Sequence, residues 1–270
     1  LKMLVISCVF SVLLFGLFIP VFGFYKVKGT LSYIFYLLAI GFFISAHFSS
    51  SFSSERQKPN SLVYYQDVDK EEAFWATYDN ILDHWTKGYL GESPMEASAV
   101  IENASGSKYN SGYSYAAKAP NKSISQFEVE LNRDTIIDNN REVTFTIIPK
   151  RHVNQISLYA EEGLRFISLS FNGENMPGES DSQRIRSKEL VRHFVSDKDS
   201  LKVAYRISKE VPVTFTVMEY SYDLMEHPQF KINKRAEDMM PKPFIITDAI
   251  IIKKRIDIDS LYVIENDTIN

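Results

Sequence analysis

The stretch that decides the fold is LVISCVFSVLLFGLFIPVFGFY, residues Leu4–Tyr25. It contains no charged residue, and its 22 residues as a helix would extend about 33 Å, enough to cross a hydrocarbon core of about 30 Å. A second apolar run, LSYIFYLLAIGFFISAHF at Leu31–Phe48, follows closely and contains only His47 as an ionisable group. The two runs predict a transmembrane α-helical hairpin within residues 1–50.

A cleaved signal peptide is the competing interpretation of the first run. The apolar core of a signal peptide is usually about 7–15 residues long and is followed by small residues at the cleavage site. Here the run is longer, Phe24, Tyr25 and Lys26 follow it, and a second apolar run comes directly afterwards. These features favour two membrane spans.

The connector between the runs predicts the orientation of the hairpin. It carries Lys26 and Lys28 and no acidic residue, and short loops rich in lysine and arginine tend to face the cytoplasm. The domain after the hairpin is therefore expected to be extracytoplasmic, periplasmic in a bacterium or lumenal in a eukaryote. Because the chain starts Leu1-Lys2-Met3 and enters the apolar run at once, we also expect a true N-terminus upstream.

Charge divides the chain sharply. Apart from Lys2, Lys26 and Lys28, the first 54 residues carry no formal charge, so all 34 acidic residues lie beyond them and give the remainder a net charge of about −7. An acidic surface argues against nucleic acid or anionic lipid as the main partner of the soluble part, since both need a basic face. The single cysteine, Cys8, excludes a disulfide within the chain.

After the hairpin, residues 51–60 (SFSSERQKPN) form a predicted linker, and residues 61–270 contain strand signals. Most of the strand segments alternate apolar and polar residues, as half-buried antiparallel strands do. Asn172-Gly173 predicts a tight turn. Short strands separated by polar turns predict an antiparallel β-sandwich with minor helix. The expected strands are Ser61–Tyr65, Phe127–Leu131, Val143–Ile148, Ile156–Tyr159, Phe166–Phe171, Leu201–Ile207 and Val211–Tyr220.

One helix is expected at Asn80–Leu90 (NILDHWTKGYL). Gly91 would end it, because glycine adopts the backbone conformations common after a helix C-terminus. Asp79 or Asn80 would cap its start through a side-chain oxygen.

Catalytic and metal-binding motifs are missing from the sequence. The histidines of the soluble part form neither an HExxH motif nor a close pair, and no GxSxG, Walker or GxGxxG motif occurs. Glu71-Glu72 is a carboxylate pair without a ligand motif nearby, which is typical of a solvated surface. We therefore predict no catalytic residue and no metal ligand in this chain.

Aromatic residues are dense between positions 64 and 89, where Trp75 and Trp85 are the weak candidates for contact with a glycan or peptide. Such rings bind sugars and peptides when they are exposed, but they equally pack a core or a neighbouring domain. The sequence favours packing and leaves both interpretations open.

Two strings resemble a known family. KPNSLVYYQDVDKEEAFWATYDNILDHWTKGYLG (Lys58–Gly91) and YDLMEHPQF with MMPKPFIITDAIIIKKRIDI (within Tyr222–Ile258) are similar to the C-terminal region of membrane-bound zinc aminopeptidases of metallopeptidase family twenty-eight, which include the vacuolar membrane protease and the endoplasmic reticulum metallopeptidase. The most distinctive match is DAIIIKK at Asp248–Lys254.

The resemblance implies an upstream catalytic domain in which two zinc ions activate the water that attacks the peptide bond. This chain has none of the ligand motifs, so it is expected to be the noncatalytic membrane and β-rich portion, with zinc bound elsewhere. Its expected partners are the lipid bilayer and the upstream spans and peptidase domain of the same polypeptide.

Two other functions remain open. The chain is alternatively a membrane-anchored β-sandwich that binds glycan or peptide through its aromatics, and full burial of Trp75 and Trp85 would count against this. It is otherwise a structural subunit of a membrane complex, whose hairpin packs through small and polar residues such as Gly16 and Ser45.

Overall fold

The computed structural model describes residues 2–23, 28–102, 112–161, 163–176, 183–184, 189–196 and 199–261. The chain forms two compact units, Leu1–Ser53 and Ser54–Asn270. Each unit is described by itself. Most of the connector that carries the topology prediction, including Lys26, lies outside the described residues.

The first unit consists of two apolar helices, α1 (Lys2–Gly23) and α2 (Lys28–Ser49). Both are long and apolar enough to cross a membrane, with mean hydropathies of 2.7 over Leu4–Val21 and 1.8 over Gly29–Ser49. Neither of these stretches is buried by the rest of the chain. The prediction of two apolar N-terminal helices is thus confirmed, and a bilayer is a natural environment for their exposed side chains.

The second unit is mostly β. Its helix is α3 (His84–Leu90). Its described strands are β1 (Lys58–Asn60), β2 (Val63–Asp67), β3 (Glu72–Thr77), β4 (Met95–Glu96), β5 (Tyr115–Ala119), β6 (Glu128–Ile137), β7 (Asn140–Ile148), β8 (Gln155–Tyr159), β9 (Arg165–Phe166), β10 (Ser168–Phe171), β11 (Glu174–Asn175), β12 (Gln183–Arg184), β13 (Glu189–Phe194), β14 (Leu201–Ser208), β15 (Thr214–Ser221), β16 (Met239–Pro241) and β17 (Ala249–Asp257).

Most strands belong to two sheets. The large sheet has the order β13-β8-β15-β17-β2-β3-β5-β4, and the smaller sheet has the order β11-β10-β14-β7-β6. The pairs β1–β16 and β9–β12 stand apart from them. Pairing in the smaller sheet is antiparallel, but β17 pairs with β2, and β1 with β16, in parallel. The antiparallel prediction therefore holds only in part.

Each of the seven predicted strand segments overlaps a described strand, although Phe166–Phe171 is divided between β9 and β10. The predicted turn at Asn172-Gly173 is confirmed. These residues have φ of 50° and 87° and connect β10 to β11. Two consecutive residues with positive φ are typical of a two-residue hairpin turn whose twist matches the strands that it joins.

The predicted linker at 51–60 is too long. Strand β1 occupies Lys58–Asn60 and pairs with β16, and the Gln57 side chain donates a hydrogen bond to the backbone carbonyl of Glu237 at 2.9 Å. Residues from Ser54 onward therefore belong to the β unit.

The predicted start of the helix is also wrong. The cap of α3 is Asp83, whose carboxylate accepts hydrogen bonds from the backbone N–H groups of Trp85 and Thr86. The Thr86 hydroxyl accepts one in return from the Asp83 N–H, which completes a capping box. Asp79 instead accepts hydrogen bonds from the Ser61 N–H and the Lys242 ammonium.

Both faces of the large sheet are buried near its centre. On one face, Leu158 and Phe215 belong to the same apolar cluster as Phe145 and Val203 of the smaller sheet, and the rings of Phe145 and Phe215 lie 5.3 Å apart. The two sheets therefore share one core. The opposite face carries a second cluster, here called the outer cluster, which includes Tyr65, Met218 and Ile251.

Candidate functional site

A polar pocket lies on the outer-cluster face of the large sheet, where the apolar cluster ends. Along β17 the residues on this face run from Ile251 to Lys253 and Arg255, and along β15 they run from Met218 back to Thr216. Since alternate strand residues share a face, both strands change from apolar to polar along this face, β17 at Lys253 and β15 one pair farther on, at Thr216. The change creates an ordered row of polar side chains at the margin of the core.

The strand register places these side chains beside one another. Asp67 lies opposite Lys253, Arg255 opposite Thr216, and Thr216 opposite Tyr159. They line a cavity of about 500 Å³, a volume within the usual range for small-molecule sites. Its lining includes four carboxylates, three cationic side chains and three hydroxyl groups. We call this cavity the end pocket.

A buried ion pair forms the inner wall of the end pocket. The Lys253 ammonium lies 2.9 Å from the Asp67 carboxylate, and these side chains are only 7% and 5% exposed. Glu102 provides a second, more distant carboxylate at 3.8 Å from the same ammonium. Removing two charges from water is costly, and short contact with a counter-charge offsets much of that cost.

The Tyr65 hydroxyl lies behind the same wall. The side chain is 1% exposed, and its oxygen has no hydrogen-bond partner in the part of the chain that the structure describes. Burial raises the pKa of this hydroxyl strongly, and the charges of Asp67 and Glu102 raise it further. The group therefore stays protonated. A buried hydroxyl without a partner costs about 1–3 kcal/mol and is an available donor.

The mouth of the end pocket offers charges of both signs. Arg255 and Glu161 are exposed, and the Arg255 guanidinium has no carboxylate within 4 Å among the described residues. The Arg255 backbone N–H donates to Asp69 at 2.7 Å, which fixes that carboxylate at the rim. The arrangement can receive a polar ligand that carries both an anionic and a cationic group.

A second buried charge pair lies on the core face of the sheet. Glu219 is fully buried, and the Arg151 guanidinium is 3.9 Å from its carboxylate. Burial raises the pKa of Glu219 to about 7, although the charge of Arg151 partly counteracts this shift. Burial also lowers the pKa of Arg151. This contact is too long for a direct hydrogen bond, so the pair is held much less tightly than Asp67 and Lys253.

A polar network joins the segment Lys58–Gly91 to the segment Tyr222–Ile258. Arg235 donates two hydrogen bonds to Asp248, at 2.6 and 2.5 Å, and a third to the Asn60 side chain at 2.5 Å. Its guanidinium also lies 4.4 Å from the ring centre of Trp85. The string at Lys58–Gly91 is therefore fixed directly to the string that ends at Ile258.

The structure places both candidate tryptophans in packing contacts. Trp85 is 6% exposed, and its indole N–H donates to the Asn233 carbonyl at 2.8 Å. Trp75 is half-buried, with ring centres 5.4 Å from Tyr64 and 5.5 Å from Tyr89. These positions support the packing interpretation of the aromatic cluster.

Within the described residues, no group of three or more histidine, cysteine or acidic side chains is arranged to hold a metal ion. Of the adjacent glutamates, Glu72 pairs with Lys118 at 3.6 Å on the surface. Sequence reasoning missed the end pocket, even though Asp67 and Lys253 both lie in the two quoted strings. A lysine directly after the apolar run Ile250–Ile252 was the available signal.

Comparison of the chain with protein-family models found no match, and comparison with curated proteins found no similar sequence.

Proposed function

We propose that this chain is the noncatalytic, membrane-anchored and extracytoplasmic portion of a membrane-bound zinc aminopeptidase. The observation that carries the proposal is that the two segments with the aminopeptidase resemblance, Lys58–Gly91 and Tyr222–Ile258, pair with each other. Strand β1 lies beside β16 and β2 lies beside β17, both in parallel, and Asp67 meets Lys253 at the end of the second pair. Two segments that are far apart in the sequence but pair in one fold depend on each other for folding. A protein that contains this fold is therefore expected to contain both segments.

The order of elements supports the same proposal. Two apolar helices precede the β unit, as the resemblance implies. We propose that the helices span the bilayer with Lys26 and Lys28 on the cytoplasmic side. We also propose that the two larger sheets form a β-sandwich, which their shared core supports. The peptidase domain, its two zinc ions and further spans would lie upstream in the same polypeptide.

The test is to express the complete natural coding region with a C-terminal tag and purify the product from membranes. The expected product releases N-terminal residues from aminoacyl-coumarin substrates and contains about two zinc ions per chain by mass spectrometry. The 270-residue chain alone should be inactive in the same assay. A complete product without a peptidase domain and without zinc would overturn the proposal.

A second function, an anchored binding module, is favoured by the end pocket rather than by the tryptophans. Trp85 offers little ring surface to a ligand, whereas the pocket is lined by charged and hydroxyl side chains. Loss of glycan or peptide binding on Trp75→Ala, in a protein that remains folded, would instead favour the aromatic interpretation.

A further inference from the structure

We propose that the end pocket binds a short peptide with free amino and carboxyl termini, its carboxylate beside Arg255 and its ammonium beside Glu161. The inference concerns the β unit alone and does not depend on an upstream peptidase. It rests on the cavity and on the placement of charge around it.

Arg255 is the residue that we expect to bind the carboxylate of the peptide. Its guanidinium lines the cavity without a carboxylate partner within 4 Å among the described residues, while the nearby Lys253 is already neutralised by Asp67. Guanidinium groups bind carboxylates through paired, charge-assisted hydrogen bonds. Thr216, the cross-strand neighbour of Arg255, adds a hydroxyl to the same wall.

The acidic side chains that line the end pocket indicate where the ammonium of the peptide binds. Glu161 is exposed at the mouth, and Glu102 is 67% exposed with its cationic neighbours only at 3.8 and 4.0 Å. Neither distance is that of a hydrogen bond, so Glu102 adds negative charge to the lining. Glu161 has no cationic side chain within 4 Å among the described residues and can accept a hydrogen bond from an incoming ammonium. A ligand with a single charge would satisfy only one side of the pocket.

The strand spacing sets the length of the ligand. Arg255, Thr216 and Tyr159 are successive neighbours across β17, β15 and β8, so the outer two are about 10 Å apart at the usual strand separation of about 4.8 Å. Glu161 lies two residues beyond Tyr159. An extended tripeptide separates its terminal charges by roughly 10 Å at about 3.4 Å per residue. The Arg255 and Glu161 backbones are then about 12 Å apart, and a tripeptide spans most of this distance between their side chains.

The test is isothermal titration of the whole 270-residue chain in detergent micelles with Ala-Ala-Ala. The matched probes are N-acetyl-Ala-Ala-Ala, which lacks the ammonium, and Ala-Ala-Ala amide, which lacks the carboxylate. We expect saturable binding of the free tripeptide and at least tenfold weaker binding of each blocked form, because each loses one set of charge-assisted contacts.

Single substitutions test whether the tripeptide binds in the end pocket. Arg255→Gln should weaken binding of the free tripeptide at least tenfold and abolish its preference over the amide. Lys254→Gln is the matched control, since it removes a positive charge from the next residue of β17, whose ammonium lies over the Phe127 ring on the other face. It should leave the affinity unchanged. Thr216→Val provides a second, uncharged perturbation of the same wall.

Three results would overturn the proposal. They are no binding of the free tripeptide up to about 10 mM by the folded wild-type chain, equal affinity for the free and blocked peptides, and equal effects of Arg255→Gln and Lys254→Gln. Tryptophan fluorescence confirms folding in each case, because both tryptophans pack in the β unit. None of these results bears on the activity of the complete membrane protein.

Discussion

Two buried charge pairs lie on opposite faces of the large sheet, Lys253 with Asp67 and Arg151 with Glu219. The first is a direct contact of 2.9 Å, whereas the second is 3.9 Å long. Coulomb attraction falls only slowly over that difference, but the hydrogen bond is lost altogether, and a buried carboxylate without one is poorly compensated. The two pairs should therefore respond in opposite ways to neutralisation.

Lys253→Met should lower the free energy of unfolding by about 3–5 kcal/mol, because it leaves the Asp67 carboxylate buried without its counter-charge. Urea unfolding of the detergent-solubilised chain, followed by tryptophan fluorescence, measures this. Lys254→Met serves as control, since the Lys254 ammonium is not part of a described ion pair.

The double variant Asp67→Asn with Lys253→Met should recover a substantial part of the loss, since no buried charge then remains. A single variant as stable as the wild type, or a double variant less stable than the sum of its single changes, would contradict a tightly coupled pair.

Glu219 should make stability fall as pH rises. Its pKa is raised to about 7 in the folded chain, so the folded state holds this proton more tightly than the unfolded state. The stabilisation is complete below the ordinary carboxyl pKa of about 4.3 and is lost as pH rises to about 7. Glu219→Gln removes this titration. Relative to the wild type, the variant should therefore gain about 3–4 kcal/mol between pH 4 and pH 8.

The measurement is urea unfolding of both proteins across that pH range, reported as the difference between them. Other carboxylates titrate in the same way in both chains, so their contributions cancel. Glu128→Gln is the matched control, because it removes a carboxylate that is 54% exposed and paired with Lys150 on the surface, where an ion pair contributes little to stability. A flat difference for Glu219→Gln would contradict the raised pKa.

At the scale of elements, α3 depends on its cap more than its length would suggest. The helix has seven residues, too few to be stable from its own hydrogen bonds. Asp83 accepts two backbone hydrogen bonds at its start and one from the Asn60 side chain at 2.9 Å. The carboxylate thus holds α3 against β1 as well as capping it.

Asp83→Ala should reduce the free energy of unfolding by about 1–2 kcal/mol, since the cap and its bond to Asn60 are lost together. Asn80→Ala should cost less than about 0.5 kcal/mol, because Asn80 is an exposed residue outside the helix. Urea unfolding by fluorescence compares the two variants. Equal losses of stability, or a larger loss for Asn80→Ala, would contradict Asp83 as the cap and favour the cap position predicted from the sequence.

Strands with one polar and one apolar face were predictable from the sequence, and strands buried on both faces were not. β7 and β14 alternate buried and less buried residues, and period-two patterning found both. β17 begins AIII because its two sides pack in different apolar clusters: Ala249 and Ile251 belong to the outer cluster, whereas Ile250 and Ile252 belong to a third cluster with Tyr64 and Trp85. Such a continuous apolar run carries no period that separates a strand from a helix.

The candidate pocket was beyond prediction for a different reason. Asp67 and Lys253 are 186 positions apart, and their contact depends on the parallel pairing of β2 with β17. Parallel neighbours are joined by long connections rather than hairpins, so no local turn signal indicates which strands meet. The lysine and the aspartate were visible in the sequence, but their proximity was not.

At the scale of the whole molecule, the chain combines two surfaces of opposite character. The helices expose large apolar side chains, such as Leu13 at 62% and Phe43 at 78%. The β unit buries its apolar residues in well-defined clusters and carries all the acidic residues of the chain. A boundary between membrane and water near residue 50 satisfies both surfaces at once.

This arrangement, together with the lysines of the connector, predicts sidedness. In a Cys8→Ser background without other cysteines, Lys118→Cys provides a single thiol on a side chain that is 75% exposed in the β unit. Val27→Cys provides one in the connector and keeps Lys26 and Lys28. With a membrane-impermeant maleimide on intact bacterial spheroplasts, Lys118→Cys should be labelled at once, and Val27→Cys only after the membrane is permeabilised.

The physical reason is that translocation of a short loop with two lysines is disfavoured, whereas an acidic folded domain carries no such retention signal. Replacing both Lys26 and Lys28 with glutamine should therefore weaken the bias and produce a mixture of orientations. Labelling of both thiols before permeabilisation would show that the hairpin does not span the membrane. Labelling of the connector alone would reverse the orientation and place the β unit, with its end pocket, in the cytoplasm.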